Sequence, residues 1–127
     1  MKKTKKILLV SCMLLILLGG MTLAYYKPKS KETISEELLN CLNEKNIGIF
    51  VGEGCSHCER QKSIIGEKFN NLNNVIDCSE LAQYCSIMNI SLVPTWIVPI
   101  YSNKSYVGEN KYEGVLSIEQ LKNISRC

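Results

Sequence analysis

The sequence predicts a small α/β domain with a central mixed sheet flanked by helices, preceded by an N-terminal transmembrane anchor. An apolar run without charges occupies residues 7–26 of the 127-residue chain. The residues that follow alternate helix and strand patterns and then form a strand hairpin and a last helix, which together indicate a mixed sheet. With 46% hydrophobic and 21% charged residues, the composition is typical of a globular chain rather than a disordered one.

The charge of the chain is concentrated at its amino terminus. The net charge is +3, but Lys2, Lys3, Lys5 and Lys6 all precede the apolar run. Setting these four aside leaves 11 basic against 12 acidic residues, a net charge of −1. Because nucleic-acid binding requires a basic face, we expect no nucleic-acid partner.

The N-terminal quarter of the chain divides into three predicted segments. Residues 1–6 form a basic cytoplasmic N-terminus, residues 7–26 a signal anchor, and residues 27–32 a charged linker that begins just before Pro28. Twenty uncharged residues are about the length that crosses a bilayer as a helix, and Pro28 ends that helix. The lysine bias favours the amino terminus inside and residues 33–127, the predicted folded domain, outside.

Two other interpretations of the apolar run remain. A signal peptide cleaved after export would leave the domain secreted, although the candidate cleavage sites near Gly19, Gly20 and Ala24 are poor. A lipoprotein signal ending at Cys12 is disfavoured, since only five residues separate Cys12 from the lysines and the apolar run continues well beyond Cys12. We therefore favour a retained anchor with an extracytoplasmic domain.

Each element of the domain has a local signal. Thr33 or Ser35 can cap the first helix, Gly52 breaks the first strand, and Ser117 forms a capping box with Gln120. The predicted helices cover residues 36–43, 56–70 and 79–88, and residues 117–121 open a last helix. The predicted strands cover residues 47–51, 75–77, 95–98 and 105–108.

The chemistry is concentrated in Cys55-Ser56-His57-Cys58, which follows a strand and a glycine-rich turn and opens a helix. Cysteines three residues apart in a first helical turn have Cα atoms about 5–6 Å apart, as a disulfide requires. The free N–H groups and partial positive charge of the helix N-terminus favour a thiolate on Cys55, the reactive form. Cys58, one turn further, is the predicted resolving thiol, and Ser56 and His57 are the predicted redox-tuning residues.

Simpler interpretations of the motif are half of a zinc site, a purely structural disulfide, and a solvated His57 without a tuning role. Zinc would need a second pair of ligands. Cys78 and Cys85 are separated by six residues, and His57 is the only histidine. We expect neither a metal nor another cofactor.

The second signal is Val93-Pro94-Thr95, with Pro94 directly before an apolar strand and 36 residues beyond Cys58. The peptide bond before a proline at the start of a strand can be cis, or it can be an ordinary trans bond. Next to a C-x-x-C motif at a helix N-terminus, we favour the cis form.

In combination, these motifs resemble the thioredoxin superfamily, and more narrowly the thioredoxin-like domain fused to bacterial and plant vitamin K epoxide reductase homologues. The likeness spans roughly residues 46–121. The motifs that carry it are Gly52-x-Gly54-Cys55-Ser56-His57-Cys58-x-x-x-Lys62, the pair Cys78 and Cys85, Val93-Pro94-Thr95-Trp96, Tyr106-x-Gly108 and Leu116-x-x-Glu119-x-Leu121.

This resemblance implies a thioredoxin-like fold, with Cys55 as nucleophile, Cys58 as resolving thiol, and Val93, Pro94 and Thr95 around the substrate groove. It also implies a second disulfide between Cys78 and Cys85, either a structural staple, which we favour, or a relay to the first. A membrane partner of the epoxide-reductase type, which passes electrons to quinone, is implied as a separate chain.

Two departures from cytosolic thioredoxins argue against a strongly reducing protein. Ile49 stands at the buried strand position where those proteins carry a carboxylate, and the dipeptide between the cysteines is Ser-His instead of Gly-Pro. Seven cysteines in the chain suit an oxidising compartment, and the pairing of Cys41 and Cys127 stays open at this point.

The sequence thus predicts a membrane-tethered thiol–disulfide oxidoreductase that acts on cysteines of exported proteins, as an oxidase or isomerase. Two alternatives are a reductant relay fed by a membrane electron donor and a binding module or chaperone whose cysteines are structural.

Overall fold

The computed structural model describes residues 33–127. The predicted basic N-terminus, transmembrane anchor and linker lie outside this part of the chain. None of the helices within residues 33–127 is long and apolar enough to span a bilayer.

The described residues form four α-helices and four strands. The helices are α1 (Glu36–Glu44), α2 (Ser56–Ile65), α3 (Ala82–Ile87) and α4 (Ile118–Ser125), with a 3-10 helix at Glu67–Asn71. The strands are β1 (Gly48–Val51), β2 (Val75–Asp77), β3 (Thr95–Ser102) and β4 (Ser105–Glu113). The predicted α/β fold with a mixed sheet is confirmed.

The sheet has the strand order β2-β1-β3-β4. β1 pairs parallel with β2 and antiparallel with β3, and β3 forms a long antiparallel hairpin with β4. All four residues of β1 are buried, because this strand has a neighbour on each side and is covered on both faces. The sheet therefore fixes the position of the end of β1, and with it the start of the turn that follows Val51.

The main core contains the fully buried indole of Trp96 and the apolar stripe of α1. Ser35 caps α1 by accepting a hydrogen bond from the N–H of Leu38 at 3.2 Å. Leu38, Leu39 and Leu42 are the buried residues of that helix. At the other end of the domain, Ser117 and Gln120 form the predicted capping box of α4.

The second predicted helix is shorter than expected from the polar cluster that begins at Asn70. We expected it to reach residue 70, but α2 ends at Gly66, which has a φ of 82°. Its ψ is −157°, so the backbone leaves the helical conformation here, and glycine adopts this combination of positive φ and extended ψ without the steric cost that a side chain would add. The chain continues as the 3-10 helix, which buries Phe69.

The third predicted helix begins later than residue 79. The carboxylate of Asp77 accepts a hydrogen bond from the Ser79 N–H, and the Asp77 carbonyl accepts from the N–H groups of Glu80 and Leu81. These bonds form a turn, because aspartate competes with the helix for nearby N–H groups. The first helical residue is consequently Ala82.

The hairpin strands β3 and β4 are longer than predicted. They stay paired from Thr95↔Glu113 to Ser102↔Ser105, with Pro99 inside β3. A proline lacks an N–H donor and is tolerated where a strand has an unpaired edge. The pairing of β1 with β3 ends at Ile97, so β3 is an edge strand at Pro99.

Candidate functional site

The two cysteines of the C-x-x-C motif lie at the N-terminus of α2, at the end of β1. Gly54, with a φ of 70°, forms the turn between them and the strand. Cys55 is the N-cap residue of α2, and its Sγ accepts a hydrogen bond from the Cys58 N–H at 3.1 Å. The cysteines form a disulfide with a Cα–Cα distance of 5.2 Å.

The two sulfurs differ in accessibility. Cys55 is half-buried, whereas Cys58 is fully buried and belongs to the main core. An incoming thiolate can therefore approach Cys55 and not Cys58. Ser56 and His57, between them, are exposed.

The loop before β3 forms the opposite side of the site. The Val93–Pro94 peptide bond is cis, and the Val93 carbonyl oxygen lies 3.5 Å from Cys55 Sγ. Since Sγ carries no hydrogen in the disulfide, this is a contact in the oxidised form and a possible hydrogen bond only after reduction. Of the three predicted groove residues, Val93 is half-buried, and Pro94 and Thr95 are buried.

The buried Thr95 stabilises the conformation of this loop. Its hydroxyl donates to the Leu92 carbonyl at 2.6 Å, and the Pro94 carbonyl accepts from the Gly114 N–H at 2.8 Å. Leu92, which sequence reasoning did not single out, is 59% exposed. An accessible apolar side chain therefore lies two residues before Pro94.

A second disulfide joins Cys78 to Cys85, with a Cα–Cα distance of 5.7 Å. It connects the end of β2 with α3, next to the turn that precedes Cys55. The Cys78 N–H donates to the Val51 carbonyl at 2.8 Å, and Ser79 Oγ accepts from the Glu53 N–H at 2.7 Å. Val93 packs against the main core and also against the smaller cluster of Phe50, Cys85 and Ile97, on which Cys78 packs as well.

The third disulfide, between Cys41 and Cys127, lies outside the candidate site. It joins α1 to the end of the chain with a Cα–Cα distance of 6.0 Å. Nearby, Lys45 Nζ donates to the carbonyls of Ser125 and Arg126 at 2.8 and 2.9 Å. Residues 33–127 contain no group of three or more His, Cys, Asp or Glu side chains arranged to hold a metal ion.

Sequence reasoning missed a buried amide that fixes α2. Gln61 is fully buried; its Oε1 accepts from the Leu116 N–H at 2.7 Å and from the Trp96 Nε1–H at 3.4 Å. Its Nε2 donates to the Leu116 carbonyl at 3.1 Å. The available signal was helical spacing, because Cys58, Gln61 and Ile65 share the buried face of α2.

The strand order, the cis proline before β3 and the disulfide at the N-terminus of α2 together define a thioredoxin-like fold. The disulfide lies where thiol–disulfide exchange requires it, with one accessible sulfur and one buried sulfur. The geometry is thus consistent with thiol–disulfide exchange.

Solved structures of thioredoxins are similar to this chain. A thioredoxin from Trichomonas vaginalis is 16% identical, with a TM-score of 0.49, and the match covers 75% of this chain and 92% of that one. For a thioredoxin from Nicotiana alata the identity is 18%, the TM-score 0.47 and the coverages 73% and 86%. A thioredoxin from Plasmodium falciparum is 19% identical, with a TM-score of 0.45, and the match covers 75% of this chain and 80% of that one. No protein-family model and no curated protein matches the chain.

Proposed function

We propose that this protein is a membrane-tethered thiol–disulfide oxidoreductase that acts on cysteines of exported proteins. The observation that carries the proposal is the asymmetry of the dithiol. Cys55 Sγ is accessible at a helix N-terminus and accepts the Cys58 N–H, while Cys58 is fully buried. Such a site stabilises a thiolate on Cys55 and shields the Cys58 thiol from solvent and from other thiols.

The oxidase reaction proceeds through two exchanges. A substrate thiolate attacks Cys55 Sγ, the Cys55–Cys58 bond breaks, and the electron pair leaves on Cys58. A second substrate thiolate then attacks the substrate sulfur of the mixed disulfide, and Cys55 leaves as a thiolate. The substrate gains a disulfide, and the protein takes up two electrons and becomes a dithiol.

Renewal of the disulfide requires an external oxidant. The proposed one is a separate membrane protein of the vitamin K epoxide reductase type, which accepts the two electrons and passes them to quinone. The supporting observations are from the sequence: the apolar run 7–26, the seven cysteines, and the resemblance of the motifs around Cys55 and Pro94. In this arrangement, residues 33–127 lie outside the cytoplasm.

The direction of electron flow is proposed to be oxidative. Ile49 is fully buried in the core cluster that also contains Cys58, so no carboxylate at this position can assist deprotonation of Cys58. A stabilised Cys55 thiolate favours the dithiol form, which makes the disulfide a stronger oxidant. Equilibration of the purified protein with glutathione tests this directly. A potential near −270 mV, as in reducing thioredoxins, would support the reductant relay instead.

A trapping experiment tests the exchange itself. We expect Cys58→Ala to accumulate mixed disulfides, because its Cys55 thiolate can attack a disulfide of an exported protein and no Cys58 thiol remains to displace that protein from Cys55. Cys55→Ser should abolish both trapping and the oxidation of a reduced test protein. The control is Cys12→Ser, which removes a cysteine outside residues 33–127, leaves the three disulfides of the domain in place and should keep exchange activity. If the unaltered protein oxidised the test protein no faster than Cys55→Ser does, only a binding module with structural cysteines would be left.

A further inference from the structure

A cavity of about 760 Å³ lies between the β3–β4 hairpin and the end of α4. One wall contains residues 98–101 of β3, which follow the last residue of that strand that pairs with β1. The other wall contains residues 123–126 at the end of α4, together with Glu44 and Lys45 at the end of α1. This volume is within the range of small-molecule sites, about 300–1,000 Å³. We call it the α4 cavity.

The α4 cavity contains polar side chains that have no partner elsewhere in the domain. Within residues 33–127, five of the lining side chains make no hydrogen bond and no ion pair: Glu44, Asn110, Tyr112, Asn123 and Arg126. The carboxylate of Glu44 and the guanidinium of Arg126 have opposite charges, and the side-chain amides can each donate and accept. This combination suits a small ligand that has both charges and peptide groups.

The Cys41–Cys127 disulfide adjoins this cavity. Cys127 follows Arg126, and its Sγ lies 3.9 Å from the carbonyl oxygen of Ser125, another lining residue. Cys127 is exposed and Cys41 is half-buried. An incoming thiolate can therefore attack Cys127 and displace Cys41. The Cys78–Cys85 disulfide differs in this respect, because Cys85 is buried.

An ammonium group lies close to the same disulfide. Lys45 Nζ donates to the Ser125 carbonyl at 2.8 Å, and Cys127 Sγ is 3.9 Å from that oxygen. Nζ and Sγ are therefore within about 7 Å of each other, the sum of the two distances. Lys45 also follows Cys41 by four residues, about one helical turn. A neighbouring cation favours a thiolate, so it assists the departure of Cys41 when the disulfide is attacked.

We propose that Cys41–Cys127 is a second exchange-active disulfide, and that the α4 cavity holds the small peptide thiol with which it reacts. The ligand is a zwitterionic peptide thiol, whose ammonium pairs with Glu44 and whose carboxylate pairs with Arg126. This activity goes beyond the proposed function, because it requires neither Cys55 nor the anchor.

The reaction consists of two exchanges that transfer two electrons. The ligand thiolate attacks Cys127 Sγ, the Cys41–Cys127 bond breaks, and the electron pair leaves on Cys41, which takes up a proton. A second ligand thiolate attacks the ligand sulfur of the mixed disulfide, and Cys127 leaves as a thiolate. Two thiols are oxidised to one disulfide, and the protein is reduced to a dithiol. The hydrogen bonds from Lys45 to the carbonyls of Ser125 and Arg126 involve neither sulfur.

Reduction of the folded, full-length protein in detergent tests the proposal with two thiols. Reduced glutathione is a zwitterionic peptide thiol, whereas 2-mercaptoethanol is neutral and has no peptide group. Alkylation at timed intervals, followed by peptide mass spectrometry, gives a separate rate for each disulfide. We expect glutathione to reduce Cys41–Cys127 on the order of tenfold faster than Cys78–Cys85, because Cys127 is exposed and near a cation.

Arg126→Gln distinguishes a ligand site from a disulfide that is merely exposed. Loss of the guanidinium should slow the reaction of Cys41–Cys127 with glutathione about fivefold, as expected for one exposed ion pair, and leave the rate with 2-mercaptoethanol within about twofold. The matched control is Lys122→Gln, which removes a positive charge from an exposed position of α4 outside the cavity lining. Both of its rates should equal those of the unaltered protein.

Glu44→Gln repeats the measurement from the other wall, so that misfolding of one variant does not decide the result. Unchanged glutathione rates in correctly folded Arg126→Gln and Glu44→Gln would overturn the proposal, as would equal slowing of both thiols. Reduction of Cys41–Cys127 no faster than that of Cys78–Cys85 also contradicts it. The rate at Cys55–Cys58, read from the same spectra, tests the proposed function separately.

Discussion

Gln61 is the residue that fixes the dithiol helix against the rest of the domain. It makes three hydrogen bonds to groups that are distant in sequence, the N–H and carbonyl of Leu116 and the indole N–H of Trp96. No buried side-chain nitrogen or oxygen within residues 33–127 lacks a hydrogen-bond partner. The amide is thus a satisfied polar group inside the core, and the orientation of α2 depends on it.

Replacing Gln61 with leucine should destabilise the domain. The apolar side chain has a similar volume but leaves the Leu116 backbone groups and the Trp96 N–H without partners. Buried unsatisfied groups cost about 1–3 kcal/mol each before relaxation, so we expect a loss of about 2–4 kcal/mol in the free energy of unfolding. Urea denaturation measures it.

The matched control is Gln83→Leu, which makes the same substitution at an exposed position of α3. Exposed substitutions usually change stability by less than about 0.5 kcal/mol. Equal effects of the two substitutions would show that the Gln61 hydrogen bonds contribute nothing to stability.

At the scale of elements, the turn from β2 to α3 supports the turn that carries Cys55. Ser79 Oγ accepts the Glu53 N–H at 2.7 Å, and the Cys78–Cys85 disulfide begins one residue before Ser79. The second disulfide therefore adjoins the turn that leads to the first. This arrangement fits the structural staple that we favoured over a relay.

Ser79→Ala should slow the exchange reaction more than it affects folding. Loss of the bond to Glu53 frees the turn before Cys55, at a cost of about 1 kcal/mol, which corresponds to attack on the disulfide that is up to about fivefold slower. Stopped-flow reaction with a small thiol measures the rate. Ser86→Ala, at an exposed position of α3, is the control, and identical rates for both variants would contradict the supporting role of this turn.

The elements were predictable where their signals were local. The order of helices and strands, the cap of α1 and the capping box of α4 follow from neighbouring residues. Other features could not be read from neighbouring residues. α2 ends because Gly66 has a positive φ, and α3 starts late because the side chain of Asp77 forms a turn. The length of the hairpin depends on the pairing of its two strands. The role of Gln61 could not be predicted either, because its partner Leu116 is 55 residues away.

On the scale of the whole molecule, the Cys41–Cys127 disulfide encloses almost the entire domain. The pairing was open in the sequence, because spacing alone does not decide it, and the structure joins the two residues over a separation of 86. The Cys78–Cys85 disulfide closes a separation of only 7. Since the entropy removed from the unfolded chain grows with loop length, the long disulfide should stabilise the domain more.

Removing each disulfide by double serine substitution tests this order. The loop-entropy relation gives about 4.5 kcal/mol for Cys41–Cys127 and about 2.5 kcal/mol for Cys78–Cys85. We expect thermal unfolding to show the larger loss for Cys41→Ser with Cys127→Ser. The opposite order would mean that packing around Cys85, which is buried, outweighs the constraint on the unfolded chain.

The Cys55 side chain caps the N-terminus of α2, and its sulfur accepts a hydrogen bond from the Cys58 N–H. Both interactions favour the thiolate, so the pKa of the Cys55 thiol in the reduced protein should lie below the ordinary value of about 8.5. The most direct measurement is the rate of Cys55 alkylation against pH, read by mass spectrometry in the reduced protein. We expect the rate to reach half its maximum well below pH 8.5, and a midpoint at the ordinary value would contradict an activated nucleophile.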